Sequence, residues 1–171
     1  METKKLARTR FEQGMTLFTQ GDIEKSIDDF SAAIELDPDY FMAYLSRGAA
    51  WVKANKPQSA VRDFSKAIEL QPDKARAYNL RGLAYAKWGK PDNALKDLDK
   101  AINIDPEYGA AYLNRANVHA SLNHPAESAE DMQMVVHLGE KNVQTFANEN
   151  NIWRSHQLRL EEEGVADVMD R

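Results

Sequence analysis

Apolar and small positions along the chain recur with the period of an α-helix, and the helical stretches themselves recur. Tyr78, Gly82 and Tyr85 follow one another at steps of four and three, which places them on one helical face. Ala94, Leu98 and Ala101 repeat that spacing in the next stretch. The linking segments read "TQGDI", "KANKP", "KWGKP" and "SLNHP", so Gly21, Asn55, Gly89 and Asn123 share one column. Glycine and asparagine tolerate the left-handed conformation that closes a helix C-terminus. Two residues later stand Ile23, Pro57, Pro91 and Pro125. Proline suits the first turn of a helix, where its missing N–H costs nothing. The pattern therefore predicts helix, tight turn, helix, with each second helix ending near Pro38, Pro72 and Pro106, where proline cannot continue it.

The step between units is 34 residues, as the phrases "AYLSRGAAW" at 43–51, "AYNLRGLAY" at 77–85 and "AYLNRANVH" at 111–119 show. Independent columns keep the same step. Gly14, Gly48, Gly82 and Ala116 form a small column, as do Ser26, Ala60, Ala94 and Ser128. Phe30, Phe64, Leu98 and Met132 form a large one, and Ala33, Ala67, Ala101 and Val135 form a fourth column. Small residues where two helices meet let their backbones approach, and the large neighbours fill the remaining space. These columns predict core packing rather than chemistry.

Aromatic, Gly/Ala, aromatic, then Ala, Phe, Ala and Pro across 34 residues resembles the tetratricopeptide repeat. The resemblance implies an all-α, right-handed superhelical solenoid of antiparallel helix pairs. Four repeats are expected within 1–142, at 7–40, 41–74, 75–108 and 109–142. Beyond 142 the period stops. Val143, Phe146, Trp153 and Leu160 then predict a C-terminal capping helix over 143–163, followed by a flexible tail at 164–171. The terminal units depart from the pattern. Arg10 stands where Tyr44, Tyr78 and Tyr112 stand, His119 enters an aromatic column, and Glu140 replaces the expected proline.

Charged residues also obey the period. Arg47, Arg81 and Arg115 run beside Asp29, Asp63, Asp97 and Asp131. Two pairings fit: Arg47 with Asp63 inside a unit, or Arg47 with Asp29 across units. Either one predicts a structural ion pair repeated along the stack.

In the family this chain resembles, the first helix of each unit lines a concave surface. With the core columns removed, unit positions 2, 5, 9, 12 and 13 share the remaining face. They carry Arg8, Phe11, Met15, Phe18 and Thr19 in the first unit and Met42, Leu45, Ala49, Val52 and Lys53 in the second. The third has Arg76, Asn79, Leu83, Ala86 and Lys87, and the fourth Ala110, Leu113, Asn117, Ala120 and Ser121, with Asn114 adding to the polar half. An apolar stripe edged by cations predicts a groove for an amphipathic helix or an extended peptide with apolar anchors and acidic residues. The alternative occupant is another copy of the chain. Some family members clamp the C-terminal carboxylate of chaperones. The matching positions here are Phe11, Met15, Ser46, Arg76 and Leu80, of which only Arg76 keeps that chemistry, so no such clamp is expected.

Composition narrows the classes further. The 171 residues include no cysteine, which removes disulfides, thiolate metal sites and a cysteine nucleophile. A net charge of −5 is a poor match for nucleic acid or anionic lipid. The first residues lack the apolar run of a signal peptide, and no stretch approaches the roughly 18 apolar residues of a membrane span. His119, His124, His137 and His156 lack zinc-pair spacing, and there is no glycine-rich phosphate loop. The expectation is a cytoplasmic, non-enzymatic adaptor or scaffold without cofactor or metal.

Overall fold

The computed structural model describes residues 2–145 and 148. Its helices are α1 (Glu2–Gln20), α2 (Ile23–Leu36), α3 (Phe41–Lys53), α4 (Pro57–Leu70), α5 (Ala75–Lys87), α6 (Pro91–Ile104) and α7 (Gly109–Ser121). An eighth helix, α8, runs unbroken over 125–145. The expected turns are all present. Gly21, Asn55, Gly89 and Asn123 have positive φ, between 57° and 90°. In each turn the next amide reaches back over the bend: Asp22 N–H donates to Leu17 O, Lys56 to Trp51, Lys90 to Tyr85 and His124 to His119. With the companion bonds from Gly21 to Phe18 and from Asn55 to Val52, this is the Schellman arrangement, which satisfies carbonyls left open at a helix end. Pro57 and Pro91 open α4 and α6 in the first turn.

The small column sets how closely the helices of a pair approach. A Cβ added to Gly48 would lie 2.5 Å from the Phe64 ring, and one on Gly14 2.7 Å from Phe30. In the third unit the ring is replaced by Leu98, which a Cβ on Gly82 would meet at 2.9 Å. Phe30, Phe64 and Leu98 are fully buried as a result. Successive pairs then stack: Ala50 of α3 packs with Ile27 and Phe30 of α2, and Ala43 with Ala33 and Ile34.

The arginine column adopts the within-unit register and adds a bond across units. Arg47 Nε and Nη2 donate to the two Asp63 carboxylate oxygens at 2.8 and 2.7 Å, while Nη1 donates to Ser31 of the preceding pair at 3.0 Å. Arg81 repeats this with Asp97 and Ser65, and Arg115 with Asp131 and Asp99. Burial alone would lower the Arg47 pKa, but hydrogen bonding and the charge of Asp63 outweigh it and the net shift is upward. Hydrogen bonding to Asp97 and Asp131 leads the upward shifts of Arg81 and Arg115. The first unit has Gln13 in the arginine column, and Asp29 is instead met by Arg10 at 3.1 Å.

Two features depart from the regular pattern. Where α2, α4 and α6 end two residues before a proline, α8 has Glu140 and continues past the expected boundary at 142/143. The expected capping helix thus begins as a continuation of α8, and most of it, with the 164–171 tail, lies outside the described residues. His119 occupies the column of Trp51 and Tyr85, yet its Nδ1 is buried without a hydrogen-bond partner among the described residues.

Stability measurements on point variants test this packing. Arg81→Ala leaves the buried Asp97 uncompensated and is expected to cost about 3–5 kcal/mol in urea unfolding. Arg10→Ala opens a half-exposed pair and is expected to cost less than about 1 kcal/mol. Gly48→Ala forces the Phe64 ring aside and is expected to lower stability by about 1–3 kcal/mol. Adding Phe64→Leu, the pairing already used at Gly82, should recover part of that loss.

Candidate partner-binding groove

The first helices of successive pairs touch: α1 meets α3, α3 meets α5 and α5 meets α7, while α2, α4 and α6 do not meet one another. A stack closed on one side and splayed on the other curves, with α1, α3, α5 and α7 on the inside. This inner face holds most of the predicted stripe.

On it a cavity of about 340 Å³ opens between α5 and α7, with Leu98 of α6 at its base. Leu83, Ala86, Leu98 and Val118 supply apolar walls, and Lys87, Asn114, Asn117 and Ser121 supply polar ones. Six of these eight residues lie on or beside the predicted stripe. Lys87 has no ion-pair or hydrogen-bond partner among the described residues. Ser121 donates its hydroxyl to Val118 O at 2.7 Å, which leaves the oxygen free to accept from a guest. Arg76 borders a second hollow of about 390 Å³ with Lys74, Ile104, Asp105 and Tyr108.

The N-terminal half of the stripe is more occupied by its own neighbours. Phe11 packs against the Phe30 and Tyr40 rings at centroid distances of 5.7 and 5.1 Å. Lys53 Nζ sits 4.5 Å above the Phe18 ring, so the cation and the aromatic surface engage each other. Arg8 pairs with Glu12 on the same helix. Met15 and Met42 remain exposed, and Ala49 and Val52 are partly covered. On α7 Leu113 and Asn117 are open.

Two stripe residues are corrections. Leu45 is only 3% exposed and belongs to the core between α3, α4 and α5. Asn79 is 4% exposed and joins two units: Asn114 Nδ2 donates to Asn79 Oδ1 at 2.9 Å, and Asn79 Nδ2 donates to Tyr108 Oη at 3.4 Å. Position 5 of a unit lies on the border with the next first helix, and that neighbour covers it. Tyr108, absent from the predicted set, lines the second hollow; its column, shared with Tyr40 two units earlier, was the signal that could have found it.

The repeat columns, the turns and the curved stack define a helical-repeat interaction fold, and sequence comparison supplies the family. Residues 75–108 match the family described as Tetratricopeptide repeat, and residues 14–55 and 52–89 match the one described as TPR repeat. The chain belongs to the tetratricopeptide repeat family. No curated protein matches it in sequence. Among solved structures, the crystal structure of MamA is similar, with a TM-score of 0.75 and 25% identity over 81% of each chain. The first TPR of Spaghetti (RPAP3), bound to the HSP90 peptide SRMEEVD, gives a TM-score of 0.67 at 24% identity, covering 70% of this chain and 95% of that one. The Arabidopsis OM64 TPR domain gives 0.67 at 21% identity, covering 70% and 98%. At these identities the likeness shows the fold. No described helix is long and apolar enough to cross a membrane.

Proposed function

We propose that the chain is a non-enzymatic adaptor that seats a peptide or amphipathic helix of another protein on its concave face. The observation that carries this reading is the α5–α7 cavity, whose apolar floor lies beside Lys87, which no described residue pairs. A guest side chain of leucine size would fill the floor against Leu83, Ala86 and Val118. An Asp or Glu next to it would meet Lys87, and Asn117 and Ser121 would bond the guest backbone. Arg76, one unit edge away, favours further acidic residues. The Spaghetti domain holds a chaperone peptide, but Phe11, Met15, Ser46 and Leu80 stand at this chain's clamp positions, so the guest is not a chaperone C-terminal carboxylate. A cytoplasmic setting belongs to this reading. Another copy of the chain is the competing occupant of the groove.

Selection from a random peptide library on the immobilised protein tests the proposal. The enriched peptides are expected to carry an aliphatic anchor next to Asp or Glu. Leu83→Glu should abolish their binding, and Lys87→Glu should weaken it about tenfold, the equivalent of about 1.4 kcal/mol. Helicity and melting should stay unchanged in both variants. Peptides that bind both variants as tightly as the wild type would remove this cavity as the working site.

A further inference from the structure

Asn79 breaks an apolar column. Phe11, Leu45 and Leu113 hold the same position in the other units, and Leu45 fills it at 3% exposure. An amide buried in that place costs stability unless its polar atoms are bonded. Here both are: Oδ1 accepts from Asn114 Nδ2 at 2.9 Å, and Nδ2 donates to Tyr108 Oη at 3.4 Å. Asn114 lines the α5–α7 cavity, and Tyr108 lines the hollow beside Arg76. Three side chains thus form one run of hydrogen bonds from the first hollow to the second.

That run has two arrangements. In the one present, Asn114 Oδ1 accepts from no described residue, and the Tyr108 hydroxyl donates to none. Turning both amides over exchanges every donor and acceptor. Tyr108 then donates to Asn79, Asn79 donates to Asn114, and Asn114 offers N–H to the cavity instead of oxygen. Asn79 is bonded at both atoms either way, so what meets Tyr108 decides what Asn114 presents. A carboxylate only accepts hydrogen bonds. One placed at Tyr108 draws the hydroxyl outward and holds the arrangement present.

The second hollow suits a carboxylate. Arg76 is exposed and forms no ion pair with a described residue. The two acids of the hollow already accept hydrogen bonds: Asp73 from Lys74 at 3.2 Å, and Asp105 from the Glu107 N–H at 3.0 Å. Leu83 of the first hollow follows Arg76 by seven residues on α5, a rise of about 10 Å. An extended peptide covers that distance in about three residues.

We propose that Asn79 is a specificity-determining residue of the groove. It couples the two hollows, so that the preferred guest is an extended peptide with a carboxylate about three residues from its aliphatic anchor. Asn79 itself touches no guest. It holds the Tyr108 hydroxyl toward the carboxylate and the Asn114 oxygen toward a guest backbone N–H. This rests on the peptide-binding groove proposed above.

NMR titration of the full chain with synthetic peptides tests the coupling. The peptides are alanine and serine apart from one Leu-Glu pair, with a second Glu walked along the chain on either side. The Leu-Glu parent is expected to bind wild type. A second Glu about three residues from the leucine should raise affinity on the order of tenfold. It should also shift the Asn114 side-chain amide signals further than the parent does. In Tyr108→Phe, which keeps the ring, the gain should fall to about threefold, the share supplied by Arg76. Asn79→Leu restores the residue of the column, and should lower the gain likewise and remove the added Asn114 shift. A gain that survives Tyr108→Phe overturns the carboxylate contact, and one that survives Asn79→Leu overturns the coupling. A gain that peaks about seven residues away, the helical spacing, overturns the extended register. A second Glu that adds nothing to a bound parent overturns this inference alone. A parent that binds no better than an alanine–serine peptide overturns the groove reading, and this inference with it.

Discussion

A single guanidinium joins three helices, and the geometry of the stack depends on it. Arg47 leaves α3, grips both oxygens of Asp63 on α4 and still reaches Ser31 on α2. The first contact closes a helix pair and the second fixes where the previous pair docks. Only arginine can do this, because its planar fork offers five donors in fixed directions. The desolvation of two charges offsets much of their attraction, so the fork contributes more to register than to net stability. With register set three times over, the inner helices come into contact, the outer ones splay, and a curved face results.

The parts of this arrangement legible in the sequence are those with one chemical solution. A left-handed helix end takes Gly or Asn, so Gly21, Asn55, Gly89 and Asn123 announce their turns. A close backbone approach takes Gly or Ala, so the Gly48 column announces the packing against Phe64. The arginine column has two candidate partners, one within the unit and one across units, and only the folded distances choose Asp63 over Asp29 for Arg47. Arg10 could have been matched to Asp29 from the sequence, because the first unit lacks the arginine of the other three and carries this one a turn earlier.

The groove was legible as a face but not residue by residue. Periodicity places Leu45 and Asn79 on the same side as Leu83, yet the next first helix covers them. Nothing in a one-dimensional pattern gives the depth of that neighbour. Asn79 shows the physical difference: in the groove it would wait for a guest, whereas between units it satisfies Asn114 and Tyr108. What remains open to a guest is a shorter stretch, centred on Leu83, Lys87 and Asn117, where the stack is least filled by its own side chains.

The fourth pair also has a consequence for motion. Inner pairs are held by a neighbour on each side, so opening one breaks two interfaces; among the described residues the last pair has one interface, and His119 Nδ1 has no hydrogen-bond partner there. In a quasi-one-dimensional stack the local opening free energy therefore falls toward this end. The chain carries a built-in gradient of rigidity. Its α5–α7 cavity straddles the steepest part, so a guest bound there clamps the loosest pair to a firm one and is felt as added stability at that end of the molecule first.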